Sequence, residues 1–227
     1  AVLRLRALLE TEGPHHVTTP NNEMLAAAVR DPAFAAVLRR SALNLPDSTG
    51  GVWASRRTPR PLLERVTGVD TVTRLCAILD ERHPVFLLGA APGVAESAAQ
   101  ALRAANPRLA IAGTFAGSPR EEDADAIVGR IAESGARLLL VAYGAPAQDL
   151  WIDRHLARLG SVRVAMGVGG TFDFLAGTRK RAPGWMRRLG LEWAWRLLLE
   201  PSRLPRILTA VVVFPFYVLT RRAAATP

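Results

Sequence analysis

PVFLLGAAPGVAESAAQALRAANPRLAIAGTF (84–115) holds the pattern that decides the fold. PVFLLGA (84–90) is an uninterrupted apolar run closed by glycine. Glu96 to Ala105 has helical spacing, and LAIAGTF (109–115) is a second apolar run. Strands that are apolar without alternation are covered on both faces, as in a parallel sheet flanked by helices. The same alternation extends both ways along the chain. Downstream, Ser118-Pro119-Arg120-Glu121-Glu122 predicts a helix with Ser as N-cap and Pro at N1. RLLLVAY (137–143) predicts a strand, a helix follows from about Ala147, and SVRVAMGV (161–168) predicts another strand. Upstream, 22–40 predicts two helical runs, the second opened by Pro32 after Asp31. ALNLPD (42–47) predicts a short strand ending in a turn, and Val69–Arg82 a helix. The expected fold is α/β, Rossmann-like, with a mainly parallel sheet flanked by helices.

The composition divides the chain in two. Of 227 residues 49% are hydrophobic and 22% charged, enough apolar surface for one packed domain. The net charge of +9 is concentrated: residues 1–178 hold 19 Arg against 18 acids, whereas 179–227 hold 10 Lys or Arg against Glu192 and Glu200. That last stretch also carries Trp185, Trp193, Trp195 and ILTAVVVFPFYVLT (207–220). The expected division is a catalytic core at 1–185 and a basic, Trp-rich, apolar appendage at 186–227. Fourteen residues interrupted by Pro215 are short for about 30 Å of hydrocarbon. They suit either an element lying in a membrane interface or a helix packed on the core. Cys76, the single cysteine, reads as a small buried hydrophobe, and no Cys/His cluster has zinc spacing. The start AVLRLRALLE shows no signal-peptide h-region and no initiator Met, and the expected location is the cytoplasm.

Three predicted strands end in small residues: Gly89-Ala90-Ala91-Pro92-Gly93, Gly144-Ala145-Pro146 and Gly167-Val168-Gly169-Gly170. Such turns let backbone N–H groups approach a phosphate or base at the edge of an open sheet. The G-x-G-x-x-G fingerprint and Walker A are both missing. Asp123-Ala124-Asp125 has the form of a metal-binding D-x-D but falls in the first turns of a predicted helix, where acids complement the dipole. Asp47, in LPDSTGG (45–51), sits just beyond a strand. It reads equally as a general base for an attacking hydroxyl and as a turn-forming or capping aspartate.

At this point the residues resemble a family. TTPN (18–21), LPDSTGGVWASR (45–56), ERVTGVD (64–70), FLLGAAPGVAE (86–96), GAPAQDLW (144–151), VGGTFDFLAGTRKRAP (168–183) and GLEWAWRLLLEPSRLPR (190–206) look like successive blocks of the WecG/TagA/CpsF transferases. The resemblance covers about residues 14–206. It implies an inverting, metal-independent and cofactor-free glycosyltransferase that moves an N-acetylmannosamine-type sugar from a UDP donor. The implied acceptor is GlcNAc on a polyprenyl diphosphate, in cell-surface polysaccharide or teichoic acid linkage-unit synthesis. It also implies peripheral association with the inner face of the cell membrane. By the same resemblance Asp47 is the base and Arg65 a catalytic arginine. Thr19, Asn21, Gln148, Gly89, Gly144, Gly169 and Asp173 bind substrate. Arg196, Arg203 and Arg206 close over the diphosphate.

Spacings of seven and three put those last arginines on one face of a single helix, against which Pro201 and Pro205 argue. Ser48 stands where the family usually has Gly, tightening the loop after Asp47. Ala147 and Asp149 replace a frequent Lys and Glu beside Gln148. Two other classes remain open from the residues alone: a nucleotide-dependent oxidoreductase on the same sheet, and a nucleic-acid-binding module using the basic tail. The resemblance favours no nucleic acid partner, and a homo-oligomer is left open.

Overall fold

Six parallel strands form one sheet in a computed structural model that describes residues 1–220, with all their side chains except those of Arg187 and Arg188. In chain order they are β1 (His15–Thr18), β2 (Leu43–Asn44), β3 (Val85–Gly89), β4 (Ile111–Phe115), β5 (Leu138–Ala142) and β6 (Val164–Gly167). Across the sheet the order is β2-β1-β6-β5-β3-β4. Residues 221–227 of the expected appendage lie outside the described residues.

The apolar runs are continuous because both faces are buried. Leu87, Leu138, Leu140, Val164 and Met166 pack with Leu5, Leu75 and Ala98 from the helices Val2–Glu10, Gly68–Cys76 and Val94–Ala105. The intervening Phe86, Leu88, Leu139, Val141 and Ala165 pack on the opposite face with Ile127 and Ile131 of Ala124–Glu133 and Trp151 and Ile152 of Ala147–His155. Neighbouring strands therefore leave the sheet in opposite directions. The helix after β3 covers the first face and the helix after β5 the second, while Phe172, just after β6, returns to the first. Such a divergence opens a crevice at the carboxyl edge.

Four local readings change. Strand β1 was not expected: HHVT is four residues long and half histidine, with no apolar run to mark it. Its place between β2 and β6 comes from tertiary pairing. The helix expected over 69–82 spans Gly68–Cys76 and stops early; Asp80 beyond it engages Arg82 and His83. The helix expected at Ser118 begins as a tight turn at Glu121–Asp123 and becomes α-helical at Ala124. Ser118 Oγ donates to Asp123 instead of capping, 2.5 Å away. The turn after Asp47 is in fact the helix Thr49–Ser55, which Gly50 and Gly51 concealed. Ser48 caps it by accepting the Gly51 N–H.

From Gly184 the chain is helical, in segments Gly184–Arg188, Glu192–Leu199 and Pro201–Thr220. The last is long and apolar enough, by length and composition, to cross a membrane. It is nevertheless tied to the core along its length. Arg206 pairs with Glu23, and Arg57 donates to the Val218 carbonyl. Between them a π-helical turn, Thr209–Val213, precedes Pro215. Proline has no N–H for the Ala210 carbonyl, and Asn22 Nδ2 donates to that carbonyl instead, at 3.0 Å.

Candidate active site

The crevice is a cleft of about 890 Å³ between the ends of β1, β5 and β6 and the appendage. Its floor is fixed by side-chain-to-backbone hydrogen bonds. Thr19 Oγ1 donates to the Gly167 carbonyl at 3.0 Å, tying the exit of β1 to β6. Gln148, only 1% exposed, accepts the Gly169 N–H at 2.9 Å, tying the turn after β5 to the turn after β6. Gly144 and Gly169 line the cleft with φ of +76° and +53°, a left-handed backbone that glycine adopts freely. Asn21 accepts the Met24 N–H and so caps the helix Asn22–Arg30 at the rim.

Gly89 is placed differently. It lies outside the cleft lining, and a Cβ on it would stand 2.8 Å from the Ala142 carbonyl carbon. Its φ of +103° and that close approach assign it to strand packing. Asp123 and Asp125 are also remote from the lining, engaged with Ser118 and Arg158.

Asp47 stands where the large cleft meets a second cavity of about 180 Å³, lining both. Its Oδ2 accepts the Gly68 N–H at 3.2 Å, which aims the carboxylate. Burial raises the carboxyl to about 6, against the Gly68 hydrogen bond and the nearby Arg65 and Arg196, which pull it down. A carboxylate so tuned is a stronger base than a solvated aspartate yet ionised at neutral pH. Ser48, next along the chain, caps the helix Thr49–Ser55, while Asp47 accepts the first N–H of the helix Gly68–Cys76 and lines both cavities.

The arginines expected on one helical face come from three elements. Arg196 is on Glu192–Leu199, Arg203 ends the turn Pro201–Arg203, and Arg206 is on Leu204–Leu208. The break that Pro201 introduces turns the chain so that all three line both cavities. Arg65 lines the smaller one.

The sequence reading missed the carboxylates that hold these guanidiniums. Glu192 pairs with Arg65 at 2.7 Å and with Arg196 at 3.5 Å. Burial alone would raise Glu192, but the Arg65 hydrogen bond with Arg196 and Arg181 outweighs it and holds the carboxyl below its ordinary value. Glu200 pairs with Arg203 and Arg179, and Glu23 with Arg206. Asp173, in the cleft wall, lies 3.8 Å from Arg179. Helical spacing was the available signal: Glu192 is four residues before Arg196, and Glu200 three before Arg203.

A cleft at the carboxyl edge of a parallel sheet, with a raised carboxylate near clustered guanidiniums, is the arrangement of an enzyme site that fits an anionic ligand. The chain belongs to the family described as "Glycosyl transferase WecG/TagA/CpsF family", whose profile matches residues 1–226, and it is a glycosyltransferase. An N-acetylglucosaminyldiphosphoundecaprenol N-acetyl-beta-D-mannosaminyltransferase of Bacillus subtilis (strain 168) is 35% identical over 205 residues, covering 90% of this chain and 77% of that protein. Its namesake from Staphylococcus aureus (strain MRSA252) is 33% identical over 192 residues, covering 84% and 74%.

Proposed function

We propose that this protein transfers an N-acetylmannosamine-type sugar from a UDP donor to GlcNAc on a polyprenyl diphosphate, by a single inverting displacement that needs no metal ion. The relatives' names support the sugar and the acceptor. The observation that carries the mechanism is the position of Asp47 at the junction of two connected cavities, with Arg196, Arg203 and Arg206 around both.

The larger cavity takes the UDP-sugar. Thr19, Asn21, Gln148, Gly144, Gly169 and Asp173 line it. The smaller one, walled by Trp193, Ile207, Ala210 and Val211, takes the acceptor sugar and the start of its lipid. Asp47 accepts the proton of the acceptor hydroxyl as that oxygen bonds to the anomeric carbon. The bond from that carbon to the UDP oxygen breaks on the opposite face, and configuration inverts. The departing diphosphate gains negative charge, and guanidiniums that are always ionised and grip two oxygens at once stabilise it. Arg65 acts beside Asp47 on the acceptor side.

The appendage brings this chemistry to the lipid. Along Pro201–Thr220 the exposed apolar residues are Leu204, Leu208, Val212, Phe216 and Leu219, spaced four, four, four and three: a single stripe facing away from the core. Held against the protein at both ends, the helix lies in the membrane interface instead of spanning it, at the inner face of the cell membrane.

The test is product mass and anomeric configuration after incubation with a panel of UDP-sugars and a short-chain lipid-diphosphate-GlcNAc, with and without chelator. The expected product is inverted, carries one N-acetylmannosamine-type residue, and forms equally in chelator. Asp47→Asn should lower transfer by about 10²–10⁴-fold while UDP binding stays within about twofold. A retained configuration, or near-normal turnover by Asp47→Asn, would overturn the mechanism.

A further inference from the structure

The segment Arg56–Leu63, RRTPRPLL, belongs to the core and takes no part in either cavity. It has no helix or strand, yet it is a built loop. Ser55 Oγ accepts the Leu62 N–H at 2.9 Å and donates to the Val52 carbonyl. Thr58 Oγ1 donates to the Ser55 carbonyl at 2.7 Å. Pro59 and Pro61 stiffen what those bonds shape. The result holds Leu62 and Leu63 out in water, Leu63 at 97% exposure. A leucine so fully exposed on an ordered loop gains nothing for folding.

Three arginines accompany that apolar tip. Arg56, Arg57 and Arg60 are all exposed. Among the described residues no carboxylate lies within ion-pair distance of any of them, whereas Arg65, Arg196, Arg203 and Arg206 around the cavities are each paired. Arg57 stacks on the exposed Trp53, 5.6 Å from the ring centroid. It also donates to the Val218 carbonyl on the appendage helix. The loop therefore abuts the end of that helix where Phe216 and Leu219 are exposed. An apolar tip ringed by unpaired guanidiniums and an indole, continuous with an exposed apolar stripe, matches an anionic bilayer surface: lipid phosphates for the arginines, the acyl boundary for the leucines.

We propose that the loop Arg56–Leu63 is a second membrane contact, carried by the core and inserting Leu62 and Leu63 beside the appendage helix. This rests on the interfacial reading of that helix given above. Its consequence is mechanical: the loop leads directly to Arg65, so the bilayer grips the acceptor-side cavity from both the core and the appendage.

The test is co-sedimentation of the full chain with vesicles of phosphatidylcholine alone or mixed with phosphatidylglycerol. Leu62→Asp with Leu63→Asp should weaken binding to mixed vesicles by at least about tenfold. Arg56→Gln, Arg57→Gln and Arg60→Gln together should weaken it by up to about 100-fold at low salt, with little effect on phosphatidylcholine alone. Both variants should keep native transfer to a short-chain soluble acceptor, which also reports their folding. An environment-sensitive dye on Leu63→Cys should shift to the blue when mixed vesicles are added; Cys76 is buried and stays unlabelled. If the native chain binds and the loop variants bind equally well, or the dye does not shift, the loop is no contact while the helix reading survives. If the native chain binds no vesicle at all, both fall together.

Discussion

The floor of the cleft and its arginine wall solve different problems with different materials. The floor is backbone and buried amide: Thr19 on the Gly167 carbonyl, Gln148 on the Gly169 N–H, and Gly144 and Gly169 in left-handed turns. The wall is charge on charge, guanidiniums held by Glu192, Glu200 and Glu23 on helical segments whose outer face is apolar. Buried hydrogen bonds set position and contribute to stability, whereas partly exposed ion pairs contribute less and are more easily re-partnered. On the function proposed above, the contrast means that recognition geometry sits in the core and the charge for the diphosphate sits on the appendage.

That division can be broken by substitutions that should separate activity from stability. On the wall, Arg203→Gln or Arg206→Gln should cost about 10²–10³-fold in transfer. Thermal melts should move by less than about 1 kcal/mol. On the floor, Gln148→Ala should cost stability as well as activity. It leaves the Gly169 N–H without its acceptor and opens a cavity, so denaturant titration should show a loss of about 2–3 kcal/mol. Equal behaviour of the two regions in melts and assays would dissolve the distinction.

Asp47 sharpens it, because its tuning opposes stability. Its carboxyl is raised to about 6 in the folded state, so it is protonated in both states below about pH 4, where it costs nothing. The unfolded chain ionises first as pH rises, and the native state bears the cost in full above pH 6. Asp47→Asn should therefore stabilise the protein by about 1–3 kcal/mol at pH 8 and hardly at all at pH 4, as read by melts across that range. The smallest effect belongs to Glu192, whose negative charge helps raise Asp47. Glu192→Gln should move the acidic limb of the pH–rate profile downward by a few tenths of a pH unit.

How much of this was legible in the residues follows from where the information lies. The runs at 84–90 and 137–143 announce buried strands because apolar continuity is a local property, and the parallel sheet follows from it. HHVT (15–18) is a strand only because β2 and β6 flank it, so no local pattern could mark it. Asp47 was visible as a lone acid after a strand. Its meeting with Arg196, Arg203 and Arg206 was not, since those arginines reach the cavity through a break between helical segments at Pro201 that spacing on one helix cannot represent. Gly89 shows the opposite error: a glycine at a strand end looks like a ligand turn, but the nearness of Ala142 gives it another task. The carboxylate partners were overlooked because net charge, +9 over the chain, hides locally balanced pairs.

The most direct test of the central claim is the pH dependence of single-turnover transfer by the native enzyme and by Asp47→Asn. With one carboxylate accepting the hydroxyl proton, the native rate should fall tenfold per pH unit below about 6, and the variant should be slower by orders of magnitude with no such limb. A native rate that stays level from pH 8 to pH 5, or a variant that retains the same acidic limb, would show that the proton leaves by another route.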